Sequence, residues 1–389
     1  MIFVAKRPLI RGKATTPVAR LLRELISIPS VNPAFLPARH PNAGEGRVID
    51  YLTAVAGKAG LDIERQKVAP GRHNLIASLM PSGKVRHRIL LAPHLDTVNA
   101  EDTQFQPQSR GGRIYGRGAC DTKGSAAAML QALCSLAQTG PRPRETEIVF
   151  TGLIDEENGQ EGSRALARMK ISADLAIVGE PTNLEVVTAH KGSMWVTLET
   201  RGKAAHGARP DLGRNAVHLM ARVVDFLESD YARGLRRRRH PLLGCGTVST
   251  GVIRGGTQPN IVPDSCEVQV DRRTLPGEKE NTVGGDLVRL LARKGLPVRW
   301  KTAKLAPCPP METPSSLPLI RQFMRAAGQK KTRGVDYFCD AAILSEGGIP
   351  SIVFGPGDIA QAHTADEWIS IASLEQAERT LLEFFHTLS

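Results

Sequence analysis

The sequence predicts an α/β protein whose main sheet is interrupted by a smaller α+β unit. Three observations carry this expectation. Strand-length apolar runs alternate with helical patterns through the first half of the chain. A stretch from about 187 to 302 changes character and orders its elements β-α-β-β-α-β. Acidic and imidazole side chains stand where the apolar runs of the first part break, at strand carboxyl ends, where open α/β sheets build their sites.

The elements follow in order. Thr16-Pro17 reads as an N-cap with proline at the first helical position. Leu21, Leu22, Leu25 and Ile26 then recur at helical spacing. Strands are expected at 74–79, 89–92, 147–151 and 175–178, and between them 125–137 is an Ala-rich helix able to approach a sheet closely. Such alternation predicts a sheet covered on both faces. In the second stretch, 194–200 alternates as a strand, and 215–229 is a helix with Val217, Met220, Val224 and Leu227 on one face. Strands at 248–253 and 266–270, a helix at 281–293 and a strand at 298–301 complete a ferredoxin-like unit. Pro307, Pro309, Pro310 and Pro314 read as a linker. A helix near 317–327, a strand at 352–354 and a last helix from about Ser373 then resume the first domain. The expected division is 1–186 and 304–389 as two parts of one domain, with 187–303 inserted between them.

Composition narrows the class. At 41% hydrophobic and 23% charged residues, the 389-residue chain has the balance of a soluble globular protein of two or three domains. No apolar run approaches the ~18 residues of a membrane helix. The start of the chain, with Lys6, Arg7, Arg11 and Lys13, has too short an apolar core for a signal peptide, so a cytoplasmic location is expected. Six cysteines without a C-x-x-C pair are too sparse for a disulfide framework and read as reduced. Cys120, beside Asp121, reads as a packing residue. The net charge of +12 is densest at 236–240. No nucleic-acid recognition motif accompanies it and aromatics are only 4%, so a solvated loop is expected and no nucleic-acid partner.

The chemistry lies at the breaks. His94 and Asp96 follow the apolar run 89–93, and Asp121 sits in the Gly-rich turn 116–124. Glu156 and Glu157 follow 148–154, Glu180 follows 175–179, and His363 lies just past 352–357. Two imidazoles and several carboxylates are a donor set for a pair of divalent metals, with no thiolate required. Such a pair acidifies a bridging water and polarises a carbonyl, which is what amide hydrolysis at neutral pH needs. Asp121, in a turn feeding a helix, is placed to bridge. Asp96, two residues from His94, can fix the tautomer of that ring. Of the adjacent Glu156 and Glu157, one can ligate while the other handles the proton. Neither H-E-x-x-H nor G-x-S-x-G occurs. A metallohydrolase is the expectation; a non-catalytic metal- or nucleic-acid-binding protein is the alternative from another class.

Five blocks, in order, carry a resemblance. His94-Leu95-Asp96-Thr97-Val98, Gly116-Arg117-Gly118-x-x-Asp121-x-Lys123-Gly124, Asp155-Glu156-Glu157, Gly179-Glu180-Pro181-Thr182 and Gly355-Pro356-Gly357-x-x-x-x-Ala362-His363 resemble the M20 metallopeptidases. Within that family the chain is most similar to the acetylornithine deacetylase and succinyl-diaminopimelate desuccinylase branch, from about residue 16 onward. The resemblance implies a mixed-sheet catalytic domain of dizinc-aminopeptidase type with the ferredoxin-like unit as a lid and dimerisation domain. It implies that His94 and Glu180 hold one zinc, Glu157 and His363 the other, and that Asp121 bridges them. Asp96 would orient His94, Glu156 would be the general base, and the peptide bond after Asp121 would be cis. In 205–210, His206 would reach the partner subunit's site and bind the oxyanion. In 255–263, Asn260 would contact substrate, and Arg273 would clamp a substrate carboxylate. Read from residues alone, His206 could be a surface histidine, and Arg273 could pair with Asp271 or Glu278. The resemblance further implies two zinc ions, with cobalt or manganese as substitutes. It implies a homodimer and a small N-acyl amino acid substrate of acetylornithine or succinyl-diaminopimelate type. A dipeptidase or carboxypeptidase of the same family is the nearer alternative.

Overall fold

The computed structural model describes residues 16–388; the basic residues Lys6, Arg7, Arg11 and Lys13 lie outside them. The first helix, Pro17–Ser27, starts on its proline and buries Leu21, Leu22, Leu25 and Ile26. Thr16 occupies the N-cap position, but its hydroxyl makes no capping bond and is buried without a partner. The expected side-chain cap is therefore not formed. Proline at the first position has no N–H, so the helix start has one orphan donor fewer to satisfy.

The expected strands of the main sheet form at Arg72–Leu79, His87–Pro93, Thr146–Gly152, Leu175–Gly179 and Ser351–Val353. The Ala-rich helix runs Lys123–Thr139 and is buried along nearly all its length. Four strands are parallel, in the order Thr146–Gly152, His87–Pro93, Leu175–Gly179, Ser351–Val353. Antiparallel strands flank them: Asp62–Ala69 and Arg72–Leu79 on one side, Val187–His190 and Met311–Glu312 on the other. The strand Asp62–Ala69 is not apparent in the sequence because it is mostly exposed and charged. An outer strand needs no apolar run.

One face of this sheet packs the helices Pro17–Ser27, Gly46–Lys58, Lys123–Thr139, Pro318–Ala326 and Ile371–Phe385. There Phe323 meets Phe354 and Phe384 edge-on, with centroids 5.0 and 5.1 Å apart. The opposite face is covered by Glu161–Arg168 and Ala341–Glu346, whose Leu166 and Leu344 pack with Leu90, Val149 and Val178.

Residues between 192 and 302 build a separate antiparallel sheet, in the order Thr247–Gly255, Ser265–Thr274, Gly192–Arg201, Arg299–Thr302. The helices Ala216–Phe226 and Glu280–Arg293 close its core through Met220, Val223, Leu287 and Leu291. The helix expected at 215–229 ends its regular part at Phe226 and continues as a π-helical turn, Leu227–Tyr231. Its buried face is Ala216, Met220, Val223, Phe226 and Leu227, with Val217 and Val224 only partly covered. The protein is thus a mixed α/β structure, and its parallel strands discharge at one edge of the main sheet.

Candidate metal centre

That edge gathers the side chains. His94 directly follows His87–Pro93, and Glu180 directly follows Leu175–Gly179. Leu95 N–H donates to Leu153 O and Leu153 N–H to Pro93 O, at 2.8 and 2.9 Å, so the ladder extends past the strands and sets Glu156 and Glu157 beside His94. Gly179 lets the layers close: a Cβ there would lie 2.8 Å from Ser125 Cβ and 3.0 Å from Pro93 Cβ. Asp121 ends the Gly-rich turn just before the Lys123–Thr139 helix, and its bond to Thr122 is cis, as the resemblance implies. His363 comes from the loop after Ser351–Val353, with φ of 62°. A left-handed non-glycine residue costs on the order of 1 kcal/mol, and such costs gather at functional sites.

The distances knit these groups together. Asp121 presents one carboxylate oxygen to each imidazole: Oδ1 lies 3.1 Å from His94 Nε2 and Oδ2 3.2 Å from His363 Nε2. His363 Nε2 is also 3.1 Å from Glu157 Oε2, and His94 Nε2 is 3.9 Å from Glu180 Oε1. His94, Asp121 and Glu157 offer donor atoms within 4.8 Å of one another, and so do His94, Glu156 and Glu180. All six residues expected at the metal pair therefore share one cleft. His363 is its open side, with 52% of its side chain exposed.

The charges show what the cleft lacks. Burial pushes the carboxyls of Glu156 and Glu180 well up, and that of Glu157 up, each aggravated by neighbouring carboxylates. Burial acts on Asp121 in the same sense, but its bonds to His363 and His94 outweigh it and hold the group well below the usual carboxylate range. Asp121 and Glu157 push the His363 ring up to about 10. Burial opposes charge on His94, yet Asp121 and Asp96 raise that ring. Carboxylates outnumber the positive groups here, and buried charge of one sign is stable only when compensated. Oxygen and imidazole donors in such excess fit divalent cations. Cys120 takes no part: its thiol donates to Asp358 O at 3.3 Å, and burial pushes its pKa up.

Asp96 does more than the sequence suggests. His94 Nδ1 lies nearer the backbone oxygen of Asp96, at 3.0 Å, than its Oδ1, at 3.5 Å. The carboxylate instead accepts the N–H of Glu156 at 3.0 Å, the N–H of Glu157 at 3.1 Å and the amide of Asn32 at 2.7 Å. Asn32 also donates to Asp155, which pairs with Arg72, itself paired with Glu45. The first histidine and the Glu-Glu segment thus hang from one buried residue, the former on its backbone oxygen and the latter on its carboxylate. Sequence reasoning missed Asn32, because Asn-Pro reads as a turn.

Of the remaining three expected residues, Arg273 lies on the small sheet, His206 in a separate two-stranded pairing and Asn260 in the turn before its partner strand. His206 is exposed, in a short strand paired with Ile261–Val262, and its Nδ1 accepts the Ala208 N–H at 3.1 Å. Asn260 is beside it, its backbone oxygen accepting the Gly207 N–H at 2.7 Å. Arg273 pairs with Asp271 at 3.0 Å, while Glu278 takes Arg272. Among the described residues, no hydrogen bond or ion pair joins these three to the metal cleft.

The sequence profile of peptidase family M20/M25/M40 matches residues 90–387. An acetylornithine deacetylase of Pectobacterium atrosepticum is 31% identical over 381 residues, covering 95% of this chain and 97% of that protein. Another, from Myxococcus xanthus, is 31% identical over 350 residues, covering 86% and 90%. Among solved structures, an aminopeptidase from Bacillus cereus superposes with a TM-score of 0.76 at 22% identity, covering 95% and 98%. A dinuclear metal binding peptidase of family M20 from Bacillus subtilis gives 0.69 at 14%, covering 95% and 96%.

Proposed function

The chain belongs to peptidase family M20/M25/M40 and is an enzyme acting on amide or peptide bonds, and on that premise we propose that it is a metal-dependent deacylase of N-acyl amino acids. The non-catalytic alternative is set aside on the same ground. The observation that carries the proposal is the likeness to acetylornithine deacetylases over 95% of the chain, joined to a complete donor set in one cleft.

In this reading His94 and Glu180 hold one cation, Glu157 and His363 the other, and Asp121 spans both. Zinc is the proposed metal, with cobalt or manganese as substitutes. A divalent pair would acidify a water and polarise the scissile carbonyl. Glu156 takes the proton from that water and returns it to the leaving amine. Asp96 fixes the backbone on which Glu156 and Glu157 stand. We assign 187–303 as a lid and dimerisation domain between 1–186 and 304–389. His206 of a second copy would close over the cleft to bind the oxyanion, with Asn260 and Arg273 holding the substrate. A cytoplasmic homodimer completes the proposal.

The test is a substrate panel on one zinc-loaded preparation. N-acetyl and N-succinyl amino acids, acetylornithine and succinyl-diaminopimelate among them, are expected to release amine with kcat/KM at least tenfold above dipeptides. The reverse order would replace the deacylase with a dipeptidase or carboxypeptidase.

A further inference from the structure

We infer that Glu367 is a positioning residue for the metal centre: its buried carboxylate fixes the turn that carries Asp121 and, through Arg117, the segment that carries His363. The inference rests on the metal-centre reading above and deepens it.

Glu367 is 1% exposed. Its Oε1 accepts the N–H of Cys120 at 2.8 Å and of Asp121 at 3.0 Å. Its Oε2 accepts the N–H of Gly118 at 2.9 Å and Nη1–H of Arg117 at 2.8 Å. Four donors use all the ordinary acceptor sites of a carboxylate. The turn has little stiffness of its own, since Gly116 and Gly118 adopt φ of 150° and 81°, which only glycine does freely. Three of its N–H groups converging on one anion form a concave backbone site that supplies the missing rigidity.

The second link runs to the other metal side chain. Arg117 Nη2 donates to Thr364 O at 3.2 Å, and Gln104 Nε2 donates to the same oxygen at 3.2 Å. The backbone of Glu367 accepts the Gly116 N–H at 3.0 Å, and Trp368 then pairs with Tyr115 in a short antiparallel ladder. Thr364 follows His363 directly. The segments ending on Asp121 and on His363 are therefore fastened to each other, and these are the two side chains that meet at 3.2 Å.

The charge of Glu367 argues for a role beyond packing. A neutral amide could not replace it, since Gln offers one acceptor oxygen and would turn an NH2 group toward two of the four donors. That charge is matched by Arg117, and a buried carboxylate bonded to the backbone of a metal-binding turn is how outer partners of metal ligands orient them.

Metal-depleted wild type and Glu367→Gln are titrated with zinc against a chromophoric chelator, and the cobalt-loaded forms are compared by visible absorption. The wild type is expected to take up two equivalents. In Glu367→Gln the zinc Kd is expected to rise about 10- to 100-fold and the cobalt bands to move; the metal-free melting temperature falls as well, since buried Arg117 loses its partner. At saturating metal, kcat falls with KM near its wild-type value. A wild type that binds two equivalents beside a variant with the same Kd and the same cobalt spectrum overturns the inference alone. A wild type that binds no zinc overturns the metal-centre reading as well. If Glu367→Gln does not fold, Arg117→Gln carries the test: it spares the three backbone bonds and is expected to weaken zinc in the same sense by a smaller factor, and an unchanged Kd overturns the inference.

Discussion

At the scale of single residues, the proposed chemistry divides between groups that would touch metal or substrate and groups that aim them. Glu156→Ala is expected to keep both metals and lose nearly all turnover, on the order of 10²- to 10⁴-fold in kcat, the usual worth of a positioned proton carrier. Metal analysis and kinetics on one sample check this, and near wild-type turnover would remove Glu156 from its role. Asp96→Ala leaves the N–H groups of Glu156 and Glu157 without their buried acceptor, so both metal affinity and kcat should fall, about 10- to 100-fold. Away from the cleft, His190 is fully buried, its Nδ1–H donates to Lys191 O at 2.9 Å, and its Nε2 has no partner. Burial pushes its pKa down to about 4 from the usual 6.5. A depressed histidine stays neutral in the fold while the unfolded chain protonates. Stability is therefore complete above about pH 6.5 and is lost as pH falls toward 4, by about 3 kcal/mol. Urea melts of His190→Gln across that window should show a flatter acid limb; an equally steep one would exclude His190 as a source. The proposed metal residues are legible in sequence because most stand just past an apolar strand and Asp121 stands in a Gly-rich turn feeding a helix. Asn32 and Glu367 are not, because only the folded loops bring near their partners, the carboxylates of Asp96 and Asp155 for Asn32 and backbone N–H groups for Glu367.

At the scale of elements, four parallel strands and the Lys123–Thr139 helix decide where the side chains go. The helix begins against its own turn: a Cβ on Gly124 would lie 2.5 Å from Ala119 O and 2.8 Å from Ile369 Cδ1. Alanine in a helix is favoured over glycine by about 1 kcal/mol. A forced backbone shift costs about 1–3 kcal/mol. Gly124→Ala is therefore expected to lower thermal stability and weaken metal binding together, and calorimetry showing a gain would refute that packing. Lys123 anchors the same place from below, fully buried, with Nζ donating to Leu25 O and Ile28 O at 2.8 Å each. Periodicity revealed the apolar strands and the amphipathic helices. It missed Asp62–Ala69, which has little buried surface, while residue type suggested a Thr16 cap that the hydroxyl does not form.

At the scale of the whole molecule, the proposal requires two copies for each working site. Glu156→Ala and His206→Ala should each be inactive alone. Mixed and re-equilibrated, they form dimers in which the site of the His206 variant receives an intact histidine from its partner. Activity should recover to about a quarter of wild type, from half the dimers with one good site in two; no recovery would confine His206 to its own subunit or to the surface. Metal removal should cost about 4 kcal/mol at a thousandfold excess over Kd, seen as a lower melting temperature with chelator. The order of the two sheets is legible in the sequence, since the β-α-β-β-α-β segment stands apart in pattern. How the small sheet of a second copy would approach the cleft, as the proposal requires, is not, because no residue pattern encodes a contact between copies. The most direct test of the central claim is amine release from an N-acetyl amino acid as zinc is returned to metal-depleted protein. The account predicts no turnover without metal and a rise that saturates at two equivalents per chain. Full activity without metal, or none at any metal loading, would contradict it.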